Sequence, residues 1–274
     1  MPVSRRTFLS LAPLPALVPA NFSSGSSRAG VLQQANPARP AIPAVFPSQD
    51  PDVAREIVAV SHGNVARVRE LLAGRPALAN AAWDWGYGDW ESALGAASHV
   101  GHREIAGLLL AAGARPTIFS AAMLGQLDAV KAFVTASPGV QKTRGPHGIT
   151  LLSHAKAGGP GATAVVTYLE SLGDADPRYA TEPLTDTDRA AIAGTYTFGQ
   201  GPTERMTVTA DARASAIQRE GGVPRNLFHL GGRVFHPAGA DAVRIRFAAG
   251  SPAPSLTVED GPVVVTAARV GSRP

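Results

Sequence analysis

The chain has 274 residues, 45 % of them apolar and only 17 % charged, which is enough to bury one large core or two ordinary ones. It contains no cysteine, and this excludes disulfides, a thiolate nucleophile and any cysteine-ligated zinc. The net charge of +4 divides into +3 over residues 1–50, −1 over 51–185 and +2 over 186–274, so no segment offers the basic face that nucleic acid requires.

The first residues read Ser4-Arg5-Arg6-Thr7-Phe8-Leu9-Ser10, followed by an apolar run from Leu11 to Ala20 interrupted by prolines. Paired arginines before Phe-Leu resemble the twin-arginine export signal, departing from it at Ser10, where Lys is usual. Charge, then a short apolar stretch, then small residues is the order of a cleavable leader. The resemblance implies a signal over residues 1–20, export of the folded protein and a periplasmic or secreted location. The apolar run is too short for a stable transmembrane helix. Residues 21–49, rich in Ser, Gly, Pro and Ala without period, are expected to be a disordered linker.

Regular structure is expected from Asp50-Pro51-Asp52, an acid and a proline suited to a helix start. Turn glycines Gly63, Gly101 and Gly125 are each followed at five, eight and nine residues by apolar pairs and triples, for example Ala106, Leu109 and Leu110. A fourth unit begins at Thr150-Leu151-Leu152 and closes near Gly173. In Ser92-Ala93-Leu94 through Gly101-His102 to Leu108-Leu109 and Gly113-Ala114 the segment resembles an ankyrin repeat. The resemblance implies an α-helical ankyrin solenoid of about four repeats over residues 50–178. The longest interval between units holds all three tryptophans, in Trp83-Asp84-Trp85-Gly86-Tyr87-Gly88-Asp89-Trp90.

After Asp176-Pro177 the pattern changes to short runs separated by Gly, Pro and Asp. Eight strands are expected: 194–198, 205–209, 215–219, 226–230, 233–236, 242–247, 255–258 and 263–269. They predict an all-β antiparallel barrel or sandwich over residues 186–271. Its opening Gly194-Thr195-Tyr196 resembles the start of small lipocalin-like domains.

Chemistry is sparse in the sequence. No G-x-S-x-G occurs, and Ser153-x-x-Lys156 sits inside a helical pattern, so no catalytic residues are assigned and a non-catalytic protein is expected. Without H-E-x-x-H or a compact acid cluster, no metal site and no cofactor are expected. Ser61-His62, Ser98-His99 and Ser153-His154 look like a repeated pair, yet their offsets from the turn glycines differ, and they are not expected to superpose. Asp84 and Asp89 are expected to be solvated loop acids.

Trp83, Trp85 and Tyr87 alternate, which in an extended finger places them on one face. With Trp90, His99 and His147 they form the expected contact set for a protein partner. The alternative is a small-ligand binder whose barrel cavity is lined by Tyr196, Phe228, His229, Phe235 and His236. An enzyme of unknown class is the remaining alternative.

Overall fold

Helix α1 (Pro51–Val60) begins where the acid and proline place it, with the Asp50 side chain accepting from the Asp52 backbone N–H at 2.8 Å. The computed structural model describes residues 45–271; the expected leader (1–20) and all of the expected linker except its last residues lie outside them. The next helices are α2 (Val65–Gly74), α3 (Ala93–His99), α4 (Arg103–Ala111), α5 (Ile118–Leu124), α6 (Leu127–Ala136), α7 (Leu151–Ala157) and α8 (Thr163–Leu172). Asn64, Ser92, Thr117 and Thr150 cap α2, α3, α5 and α7 with a side-chain oxygen, which satisfies a backbone N–H that the helix start leaves free.

The helices pair around the turn glycines. Gly101 (φ 75°) and Gly125 (φ 77°) are left-handed, and a Cβ on either would lie 2.0 Å from the carbonyl oxygen of Ala157 or Gly161. Only glycine meets both demands. In the first helix of each pair, α3 lies between α1 and α5, and α5 also packs on α7.

The ankyrin solenoid expected from the sequence is nevertheless not what the chain builds. The described residues hold nine short helices and a closed barrel. The buried apolar side chains of the helical segment fall into two clusters that meet at α5, instead of one continuous core. Among the described residues one hairpin lies between helices, β1 (Ala82–Asp84) with β2 (Trp90–Ser92), and it folds Trp83 and Trp85 onto the helical core. Apolar period fixes a helix's buried face, but it does not fix how successive pairs stack.

A short helix, α9 (Asp186–Ile192), leads into eight strands: β3 (Gly194–Thr197), β4 (Arg205–Ala210), β5 (Ser215–Arg219), β6 (Arg225–His229), β7 (Val234–Pro237), β8 (Arg244–Phe247), β9 (Ser255–Asp260) and β10 (Val263–Arg269). Each pairs antiparallel with its sequence neighbour, and β10 also pairs with β3, closing the barrel. The expected strands are therefore present, and closure leaves no free sheet edge. Alternation supplies the interior: Met206 and Val208 of β4 are buried while Thr207 and Thr209 are exposed.

Apolar side chains pack that interior. Tyr196, Met206, Ile217, Phe235, Phe247 and Leu256 belong to one packed cluster, at about 1.5–3 kcal/mol for each large side chain buried. Helical segment and barrel belong to one compact unit. Among the described residues no helix is long and apolar enough to cross a membrane.

Candidate metal centre

The hairpin carries the first donor. Its ladder pairs Trp83 with Glu91 and Asp84 with Trp90, and the loop between turns sharply through Gly86, Tyr87 and Gly88, all at positive φ. The extended finger expected here therefore ends at Asp84. Trp83 and Trp85 pack against the helical core, Tyr87 against the barrel core, and only Trp90 is exposed, at 64 %. The aromatics do not share one face. Asp89, expected to be solvated, is buried, and so is Glu91 at 0 % exposure.

Three histidines meet Glu91. Ser61, at the end of α1, donates its hydroxyl to the Ile57 carbonyl at 2.7 Å, and Ser98 of α3 donates to Leu94 at 2.6 Å. The histidine after each serine then faces its counterpart: His62 Nε2 and His99 Nε2 lie 3.1 Å apart. His99 Nε2 is 2.9 Å and His147 Nε2 3.4 Å from Glu91 Oε1, and His62 Nε2 is 3.6 Å from Oε2. One donor atom from each of the four residues lies within 4.8 Å of every other.

Two Ser-His pairs thus do come together, contrary to the offset comparison made on the sequence. What aligns them is the packing of α1 against α3, with each pair at the C-terminal end of its helix, and distance to the turn glycine is irrelevant. The third pair is displaced: His154 sits mid-helix in α7, its ring 6.3 Å from that of His99.

A surrounding layer of partners orients the donors. Trp85 Nε1–H donates to Glu91 Oε2 at 2.7 Å, which leaves Oε1 to face His99 and His147. His62 Nδ1–H donates to the Ala59 carbonyl at 3.0 Å, and His147 Nδ1–H to Asp89 Oδ2 at 2.7 Å. Both rings therefore turn Nε2 inward, in the arrangement that metal-binding histidines adopt. Asp89 also accepts from the His147 backbone N–H at 2.9 Å and pairs with Arg225 of β6. The barrel thereby braces the site. His147 itself is held left-handed (φ 60°) between Pro146 and Gly148, an uncommon conformation for a non-glycine residue.

These donors need a cation or protons. Glu91 Oε1 is buried with imidazole nitrogens around it, none aligned as a hydrogen bond. Burial alone would raise the Glu91 carboxyl, but His147 and His99 outweigh it and hold it at about 2. Burial would lower His147, yet Asp89 and Glu91 raise it to about 9. Burial would likewise raise Asp89, but His147 and Arg225 keep it below the usual carboxylate range. His154 is pushed down to about 4 by burial first and by the neighbouring His99 second. It is neutral at neutral pH and forms the back wall.

Four donors on one zinc ion at about 2.0–2.1 Å would sit about 3.3 Å apart in a tetrahedron. The spacings of 2.9, 3.1 and 3.4 Å lie near that value, and the remaining pairs of the set lie within 4.8 Å. The residues present fit a metal ion, against the sequence expectation of none.

Of the six residues expected to contact a partner, His99 and His147 are donors, Trp85 orients Glu91, Trp83 and Tyr87 are packed, and Trp90 remains at the surface. Of the five expected to line a barrel cavity, Phe228, His229 and Phe235 border one cleft of about 600 Å³, and Tyr196 and His236 do not. Tyr196 and Phe235 fill the interior, while Phe228 and His236 pack outside it on Tyr179, at centroid distances of 4.2 and 4.7 Å. His229 bonds the Glu182 carbonyl through Nδ1 at 3.0 Å. His62, Glu91 and Asp89 were missed by the sequence reading; the repeated Ser-His dipeptide was the available signal. Neither the protein-family models nor the curated proteins searched contain a match to this chain.

Proposed function

We propose that this protein is a metalloprotein that binds one divalent first-row transition ion, such as zinc, through His62, Glu91, His99 and His147. The observation that carries it is the convergence of three imidazole nitrogens on one buried carboxylate, with Trp85, Asp89 and the Ala59 carbonyl each fixing a donor from behind. Three neutral imidazoles and one carboxylate suit such an ion better than calcium or magnesium, which prefer oxygen. With the twin-arginine-like start of the chain, this makes an exported metalloprotein.

The test is calorimetric titration of metal-free protein with Zn2+ and Co2+. One ion per chain is expected, and Glu91→Gln should weaken it more than a hundredfold. Absence of saturable binding to the wild type would refute the site. Contact with a protein partner is a second reading, favoured by the exposed Trp90 on the hairpin; loss of a captured partner on Trp90→Ala tests it.

A further inference from the structure

We infer that the ion keeps an open coordination position, and that a small organic carboxylate with an apolar body binds there. This rests on the metal reading above. The four donors are unevenly enclosed: Glu91 is fully buried and the His99 side chain 11 % exposed, but His62 and His147 are 33 % and 27 % exposed. These two border a cleft of about 410 Å³, within the size range of small-molecule sites. A four-donor set closed on one side and open on the other leaves room for a fifth ligand, as zinc sites that expand beyond four do.

The cleft walls come from both halves of the molecule. Ala59 and Trp85 form the helical side and Val223, Pro224 and Ala238 the barrel side, an apolar lining for the body of a ligand. Charge selects its head. A doubly charged ion together with Arg225 outweighs the carboxylates of Glu91 and Asp89 by one positive unit. In a cleft with apolar walls that excess favours one negative charge on the ligand. A carboxylate supplies it and is itself a ligand for the ion.

The experiment uses the whole chain loaded with Co2+, whose visible absorption reports its coordination. Benzoate should change the spectrum saturably, and benzyl alcohol should leave it unchanged. Two cleft-filling variants, Val223→Trp and Asn226→Trp, replace exposed residues of the barrel wall and spare every donor and every group that orients one. Each should bind Co2+ within threefold of wild type and lose at least tenfold in benzoate affinity. A loaded wild type that ignores benzoate, responds equally to benzyl alcohol, or keeps its benzoate affinity in both variants would overturn the open position while leaving the metal site standing. Failure of the wild type to bind Co2+ would overturn both.

Discussion

The barrel interior and the buried floor of the helix–barrel junction are opposite in chemistry. Inside the barrel, Tyr196, Phe235 and Phe247 pack ring against ring, and the only polar atom of the three, the Tyr196 hydroxyl, donates to the Ile192 carbonyl at 2.8 Å. At the junction, Asp89, Glu91, His154 and Arg225 are buried together, with His62, His99 and His147 beside them. Apolar packing is non-directional and tolerates volume-conserving exchange, whereas a buried charge is tolerated only with its particular partner. The first region therefore holds the fold, and the second holds a geometry that folding alone does not require.

The largest effects test that contrast. Phe235→Ala should cost about 3–5 kcal/mol by leaving a cavity. Arg225→Met should cost a similar amount, because Asp89 would lose the guanidinium that neutralises it in a buried place. Their rescue should differ. Adding Asp89→Asn to Arg225→Met should recover most of the lost stability in urea unfolding, since the orphaned charge is gone. No single polar exchange should rescue Phe235→Ala. If the double variant stayed as unstable as Arg225→Met, the junction would be held by packing, like the barrel.

Proton competition comes next. In the metal-free protein His147 is raised from the ordinary 6.5 to about 9, so an ion must displace its proton at any pH below that. Metal affinity should rise about tenfold per pH unit from 6.5 and flatten above 9. The stability of the metal-free protein follows with the sign worked out. The His147 contribution is complete below pH 6.5 and drains away as pH climbs through 9. Glu91, depressed from 4.5 to about 2, contributes above 4.5 and loses its share as pH falls through 2. His154, depressed from 6.5 to about 4, opposes folding progressively as pH falls from 6.5 to 4. Thermal unfolding from pH 2 to 10, with and without Zn2+, measures these together. A flat affinity profile from pH 6.5 to 9 would mean that His147 is not a ligand.

The two regions also differ in how far the sequence discloses them. The barrel strands follow from alternation such as Arg205-Met206-Thr207-Val208, because the period of side chains along a strand is a local property. Helix pairs follow similarly from Gly101 and Gly125, where chain geometry admits no Cβ. The stacking of those pairs does not, because it depends on contacts between helices far apart in the chain. The metal centre is less legible still. Its donors at 62, 91, 99 and 147 come from a helix end, a hairpin strand, a second helix end and a left-handed turn, with no short spacing to mark them. Glu91 looks like any acid before a helix until Trp83 and Trp85 fold the hairpin onto the helical core. Only the Ser-His dipeptides hinted at convergence, and they do so through helix packing.

A smaller effect separates orientation from ligation. Trp85→Phe keeps the ring that packs on the helical core but removes the N–H held by Glu91 Oε2. Glu91 could then turn either oxygen inward. Loss of such a supporting partner typically weakens metal binding by about 10–100-fold, and about tenfold is expected here. Calorimetry should show that loss with unfolding stability changed by about 1 kcal/mol, the net worth of one hydrogen bond. An unchanged affinity would assign Trp85 to packing alone.

The smallest effect belongs to the neighbouring tryptophan, and it is where the comparison is sharpest. Trp90 stands directly before Glu91, so chain proximity would rank it above Trp85 as a contributor to the site. Alternation along β2 decides otherwise: Glu91 points into the junction, and Trp90 turns outward with 64 % of its surface exposed. Exposed side chains that make no specific contact usually change stability by less than about 0.5 kcal/mol on removal. Trp90→Ala should therefore leave urea unfolding within that margin and metal affinity within about twofold. A loss above 1 kcal/mol, or a tenfold fall in affinity, would show the hairpin acting as one rigid unit, in which the outward face also sets where Glu91 stands.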